Sequence, residues 1–304
     1  MSIPAEKEYA PVVLFAFNRP DAVERCVTSL LRNAEAAETE LYVFVDGPRP
    51  GKPDDPGAVS AVRAYAKAIR GFRSVHYRFA TENQGLASSV IGGVNEVLAR
   101  HGRAIVLEDD LSVSANFLAF MNQGLDRYED AKRIFSICGY TNVVKRPEGY
   151  PYDAYFCPRS SSWGWGTWKD RWDSVDWNLS DWPAQKKYAR AFNRWGGSDC
   201  WKMLCDWHEG RNSSWAIRFC YAQFLRQGLS LFPLVSKVGN HGFDGRGTHG
   251  QKWTRFKFLF DTSADKEFLF PEESRINTSL YKQVLSYHSI PIRIWSRIMY
   301  FLHR

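Results

Sequence analysis

Four apolar residues, Ala104-Ile105-Val106-Leu107, run directly into three carboxylates, Glu108-Asp109-Asp110. A short apolar run bounded by polar residues reads as a strand covered on both faces, and ligands of open α/β sheets gather beyond the carboxyl ends of such strands. Adjacent carboxylates repel, and a hard divalent cation that also carries a phosphate relieves the repulsion. The competing reading is a helix start, with Asp110, Ser112 or Ser114 capping the segment Ala115 to Tyr128 and the acids at its positive end. The residues alone leave both open.

The chain before this point alternates. Val12 to Phe17 reads as a strand, Asn18-Arg19-Pro20-Asp21 as a loop, and Val23, Cys26, Val27, Leu30 and Leu31 recur at helical spacing. Leu41 to Val45 is a second strand ending in Asp46-Gly47-Pro48, followed by a loop to Gly57 and a helix over Ala58 to Ile69. Val75 to Phe79 is a third strand, and Leu86, Val90, Val94, Val97 and Leu98 mark the helix that delivers the chain to the acidic strand. Such alternation predicts an α/β fold with a mainly parallel sheet covered on both faces. Ile134 to Cys138 adds a further strand.

Beyond Tyr140 the character changes: ten of the twelve tryptophans fall between Trp163 and Trp215. They form either the aromatic wall of a second subdomain or a surface on which sugar rings stack. Glycines between large rings in Trp163-Gly164-Trp165-Gly166 suit a turn where backbone approaches a ligand closely. The glycine-rich run from Gly239 to Gly250 reads as a lid.

At 304 residues and 44% apolar content a well-buried core is expected. Glu6, Lys7 and Glu8 stand where a signal peptide needs apolar residues, so a cytoplasmic protein is expected. None of the six cysteines shows C-x-x-C spacing, which points away from zinc and from a disulfide framework. The net charge of +7 is uneven: Arg275, Lys282, Arg293, Arg297 and Arg304 occur without any acid, among Ile290, Ile294, Trp295 and Ile298. That segment reads as a basic amphipath suited to an anionic membrane face, or as a final helix docked on the domain. Nucleic acid is not expected as a partner, because the cations do not line up with the tryptophans and the acidic triplet repels phosphate unless a metal intervenes.

Four blocks, in order, carry a family resemblance. Val13-Leu14-Phe15-Ala16-Phe17-Asn18-Arg19-Pro20, Leu107 to Leu111 with Ser136 to Tyr140, Trp163-Gly164-Trp165, and Pro233 through Thr248-His249-Gly250 resemble a GT-A glycosyltransferase of the N-acetylglucosaminyltransferase I type, in a bacterial, family 2-like form. The resemblance implies a GT-A, Rossmann-like sheet with a Trp-rich acceptor subdomain. It implies a nucleotide-sugar half over residues 1–140, an acceptor half and closing loop over 141–265, and the basic tail over 266–304. Arg19 and Asp46 would contact the nucleotide, Glu108 and Asp109 the donor, and Asp110 a manganese or magnesium ion bridging the diphosphate. His249 would fold over the donor, and Trp163 and Trp165 would meet the acceptor.

One departure stands out. The family carries a proton-abstracting aspartate just before a Trp-x-x-Arg run, and here Trp215-Ala216-Ile217-Arg218 follows Ser213 and Ser214. An inverting displacement needs a base near the attacking hydroxyl; Asp244 is the first candidate, Asp206 the second and Glu209 the third. The expected activity is metal-dependent transfer from a nucleotide sugar, a UDP-sugar, to a saccharide or glycoconjugate. A carbohydrate-binding protein without catalysis and a sugar nucleotidyltransferase are the alternatives, the latter disfavoured because Asn18-Arg19-Pro20 offers no glycine for a phosphate loop.

Overall fold

A computed structural model describes residues 8–243 and 254–302; the expectations for Asp244 and His249 lie outside the described residues. The first half alternates as its sequence predicts: β1 (Val12–Ala16), α1 (Pro20–Leu30), β2 (Glu40–Val45), α2 (Asp55–Ala68), β3 (Ser74–Phe79), α3 (Leu86–His101) and β4 (Arg103–Glu108). There follow β5 (Leu111–Val113), α4 (Phe117–Arg127), β6 (Ile134–Cys138), β7 (Ala154–Cys157), β8 (Trp165–Trp168) and α5 (Lys169–Asp173). A helical stretch then comprises α6 (Trp182–Gln185), α7 (Ala189–Gly196), α8 (Cys200–His208) and α9 (Trp215–Leu225). The chain ends through β9 (Leu229–Pro233), β10 (Val238–Asn240), α10 (Thr278–Tyr287) and α11 (Ile290–Leu302).

Eight strands form one mixed sheet in the order β3-β2-β1-β4-β8-β6-β9-β7. β1 pairs in parallel with β2 and β4, and β2 with β3, whereas β8 runs antiparallel between β4 and β6. The sheet therefore draws strands from both sides of residue 140. Along β1 the side chains alternate between two cores: Val12, Leu14 and Ala16 pack with α1, α2 and α4, and Val13 and Phe15 with α3. This two-sided burial explains why the strand is apolar throughout.

The tryptophans divide by position. Trp165, Trp172 and Trp215 stack together in the core on the α3 side. Trp182 and Trp201 pack against a smaller core built on Phe192, Leu204 and Tyr221. At the C-terminal end Asn277 caps α10 by accepting from the amides of Ser279 and Leu280, and Leu280 and Val284 pack on Tyr155 and Phe232. The six cysteines are all unpaired thiols. Among the described residues no helix is long and apolar enough to cross a membrane.

The helix-start reading of the acidic triplet is corrected here. Leu111-Ser112-Val113 leaves the triplet as a strand, paired antiparallel with β10, and α4 begins only after Asn116.

Candidate active site

β1 and β4 end flush, Phe15 lying opposite Glu108, so the residues that follow both strands meet. Pro20 opens α1 at its first turn, where a missing N–H costs nothing, and this holds Arg19 in the turn above the strand ends. The Arg19 guanidinium bonds to the Asp109 carboxylate and stands 3.6 Å from that of Asp110. The Phe17 amide donates to the other Asp109 oxygen at 3.4 Å. Asp109 is 3% exposed, and burial pushes its pKa up to about 6 against the pull of Arg19. Burial, then the charges of Asp110 and Asp109, push Glu108 up to about 8. Asp110 is raised as well, chiefly by burial. Three acids thus sit where their charge is disfavoured and one guanidinium offsets it, an arrangement that favours an added cation.

The neighbouring strand ends are tied to each other by Asp46. Its carboxylate accepts from the amides of Gly47 and Gln84 at 2.8 Å, from the Gly85 amide at 3.0 Å and from Asn83 Nδ2 at 3.0 Å. Beside this knot lies a cavity of ≈ 700 Å³ whose lining includes Arg49, Lys52, Glu82 and Asn83. Arg49 is fixed by a bidentate pair with Asp55, which also accepts from Asn18. Neither Arg49 nor Lys52 was singled out from the sequence. The signal present was the Asp/Gly/Pro-rich loop after a strand, which reads only as a connection.

β10 closes the site from the far end of the chain. The His241 amide donates to the Asp110 carbonyl at 2.8 Å, and its ring nitrogen lies 2.8 Å from the Ser112 hydroxyl. A Cβ on Gly242 would lie 2.5 Å from Asp110 Oδ2. Gly164, with φ +62°, accepts from the Gly139 amide at 2.6 Å and rests over Leu107, the last apolar residue of the acidic strand.

Trp163 and Trp165 part company across that glycine. Trp163 is half-buried against Tyr140, Phe243 and Phe256, within reach of the site. Trp165 is 1% exposed and stacked on Trp172 and Trp215. The expectation that Trp165 meets an acceptor is corrected, because β8 lies inside the sheet and leaves its ring no free face. Asp206, on α8, is held by Lys202 and Arg211, which lower its pKa and so its strength as a base. Glu209 follows the same helix and pairs with Arg211. Ser214 caps α9, its hydroxyl accepting from the Ile217 amide at 3.3 Å.

A metal fits this corner only with help from a ligand. Among the described residues no three carboxylate, imidazole or thiol groups converge as a ready-made cage. The donors present are carboxylate oxygens, which suit magnesium or manganese, and such ions are commonly held by one or two carboxylates with phosphates and water completing the shell.

A family model, Glycosyl transferase family 2, matches residues 12–185. Among solved structures the chain is similar to a mannosyltransferase, PcManGT from Pyrobaculum calidifontis, in complex with GDP-Man and Mn2+. That match has 14% identity and a TM-score of 0.36, and covers 54% of this chain and 46% of the other. It is also similar to S. aureus TarS (residues 1–349) at 9% identity and a TM-score of 0.38, covering 76% of this chain and 60% of that one. The chain thus spans less than two thirds of either protein.

Proposed function

The chain belongs to glycosyl transferase family 2, and from that premise we propose that it moves a hexosyl or N-acetylhexosaminyl group from a UDP-sugar to a saccharide or glycoconjugate hydroxyl, with a divalent cation and with inversion at the anomeric carbon. The α/β sheet, of the GT-A, Rossmann-like kind, puts the candidate groups at the carboxyl ends of β1, β2 and β4. The observation that carries the reading is the pair Asp109 and Asp110 gathered beside Arg19 just past the end of β4.

We assign the cation to Asp110, where it would offset the charge gathering on the departing nucleoside diphosphate. Arg19 offers a second positive charge to the same phosphates, and preorganised charges of this kind are each worth about 100-fold to 1,000-fold in rate. Asp109, held by Arg19 and the Phe17 amide, orients the ribose or donor sugar. Glu108, at the end of the same strand, meets the donor beside Asp109. Asp46 shapes the loop beside the cavity that takes the nucleotide base. Trp163 faces the acceptor, His249 and its loop cover the donor, and Asp244, ahead of the ion-paired Asp206, is the base. Peripheral contact with the cytoplasmic face of a membrane falls to α11.

Calorimetry with UDP, with and without manganese, tests the reading. Manganese is expected to tighten UDP binding at least about tenfold (~1.4 kcal/mol), and Asp110→Ala to remove that gain. UDP affinity indifferent to both manganese and Asp110→Ala overturns it.

A second reading, a sugar-binding protein without transfer, is favoured by Ser214, whose hydroxyl serves as a helix cap where the related family carries its base. UDP binding without UDP release from any UDP-sugar in the presence of saccharide acceptors would select it.

A further inference from the structure

α8 and α9 each bring a cysteine into the same small core. Cys200, the first residue of α8, is 0% exposed, and Cys220, in the middle of α9, is 4% exposed. The two thiols are hydrogen-bonded to each other. Arg159, two residues past β7, donates through Nη1 to Cys200 Sγ at 3.2 Å and to Asp199 at 2.8 Å. Ser160, the next residue, bonds to Cys220 from both its backbone and its side chain. The sulfurs thus stand side by side under one guanidinium, and the transfer chemistry above uses neither of them.

This pair differs in kind from the thiols around it. Burial pushes Cys138 and Cys157 up to about 12, as it does for cysteines that only fill space. At Cys220 the hydrogen bond from Cys200 outweighs burial, and Arg159 and Ser160 add to it, so this thiol is pulled down toward the thiolate. Cys200 stands in the first turn of α8, at the positive end of its dipole. The thiolate is the form that attacks oxidants, and a second sulfur in contact turns the first oxidation product into a disulfide. Arg159 keeps 16% of its side chain exposed, so solvent reaches the group that touches Cys200.

We infer that Cys200 and Cys220 are a peroxide-sensitive pair, which oxidation closes into a disulfide that ties α8 to α9 and draws Cys200 Sγ away from Arg159. Cys220 releases its proton to solvent and its sulfur attacks one oxygen of hydrogen peroxide. The O–O bond breaks, hydroxide leaves, and Cys220 becomes a sulfenic acid. The Cys200 thiol gives its proton to that hydroxide, and its sulfur attacks the Cys220 sulfur, forming the S–S bond as the S–O bond breaks. A second hydroxide leaves and takes up the proton first released, so two thiols and one peroxide give one disulfide and two waters.

Intact mass and tryptic mapping of the full chain, treated with hydrogen peroxide while folded, test this. Cleavage after Arg194, Lys202, Arg218 and Arg226 places Cys200, Cys205 and Cys220 in separate peptides. The expected result is a loss of two hydrogens and a single link between the Cys200 and Cys220 peptides, reversed by dithiothreitol. The link should form about tenfold faster than the partly exposed Cys205 is oxidised. Cys200→Ser should stop at the sulfenic acid of Cys220, captured as a dimedone adduct, and Cys205→Ser should link as the wild type does. Thermal melts identify any variant that fails to fold, and the wild-type peptide map then decides alone. A link that maps to another cysteine overturns the pairing. A pair that stays reduced while Cys205 is oxidised, or that passes to sulfinic acid without linking, overturns the switch and leaves two packed thiols. Neither UDP nor manganese is present, so failure here and failure of the manganese-dependent UDP binding are separate results.

Discussion

Asp46 accepts four hydrogen bonds, three of them from backbone amides, and this fixes how the ends of β2 and β3 meet. Removing the acceptor leaves buried donors without partners, so Asp46→Ala is expected to cost about 2–4 kcal/mol, read as a lowered urea midpoint. Asp46→Asn separates the two roles open to this residue. UDP affinity lost at unchanged stability means direct nucleotide contact, whereas both declining together means that the side chain only shapes the loop. Arg19 makes a different prediction. Arg19→Ala leaves Asp109, 3% exposed, without its cation, and loss of such a partner costs about 1–3 kcal/mol for a pair with one half-buried member. Manganese replaces the lost charge, so it should raise the Tm of Arg19→Ala by more than that of the wild type. Equal shifts in the two proteins would mean that no cation enters between these acids.

At the scale of elements, the pairing of β5 with β10 carries Gly242 from far along the chain onto Asp110. A methyl group there would stand 2.5 Å from Asp110 Oδ2, and the carboxylate must rotate away. Gly242→Ala is therefore expected to weaken manganese-dependent UDP binding about tenfold or more, with the Tm nearly unchanged because the residue lies in a loop; intact affinity would remove β10 from the site. This contact also marks where the sequence stops being informative. β1 to β4 and their helices were legible because each is a local run with its own period, bounded by Pro, Gly and Asp. β5 was not: Leu111-Ser112-Val113 is too short to declare a strand, and its partner Val238-Gly239-Asn240 lies more than a hundred residues later. For the same reason Trp165 read as a surface ring, since only the insertion of β8 between β4 and β6 buries it. The acidic triplet and Arg19 were visible as residue types at strand ends, but their mutual contact depends on the flush register of β1 and β4.

The whole molecule is closed by a buried knot that no local pattern announces. Arg159, after β7, bonds to Asp199 at 2.8 Å and to the Gly196 carbonyl, and His288, just past α10, places Nδ1 3.5 Å from the same carboxylate. The knot joins the sheet, the α7–α8 turn and the C-terminal helices, which are further tied through Ser198 to the His288 carbonyl and to Arg293. Burial and then the charge of Arg159 push His288 down to about 4, with Arg255 adding to the effect and Asp199 opposing it. Arg159 holds Asp199 well below the usual carboxylate range despite burial. Between pH 4 and the ordinary histidine value of ~6.5, the unfolded chain binds a proton at residue 288 that the folded chain excludes, so stability rises with pH through that window. The shift corresponds to about 3 kcal/mol, present above pH ~6.5 and lost progressively as the pH falls toward 4. Asp199 adds a further loss below the unfolded carboxylate value of ~4. Urea denaturation from pH 7 to 4.5 should therefore show a steep acid decline in the wild type and a flatter one in His288→Gln, which has no imidazole to protonate on unfolding. Parallel declines in the two proteins would assign the acid sensitivity to other groups and leave the knot a packing feature only. A flattened decline would mean that the C-terminal helices are held to the sheet through a charge balance set at residue 288.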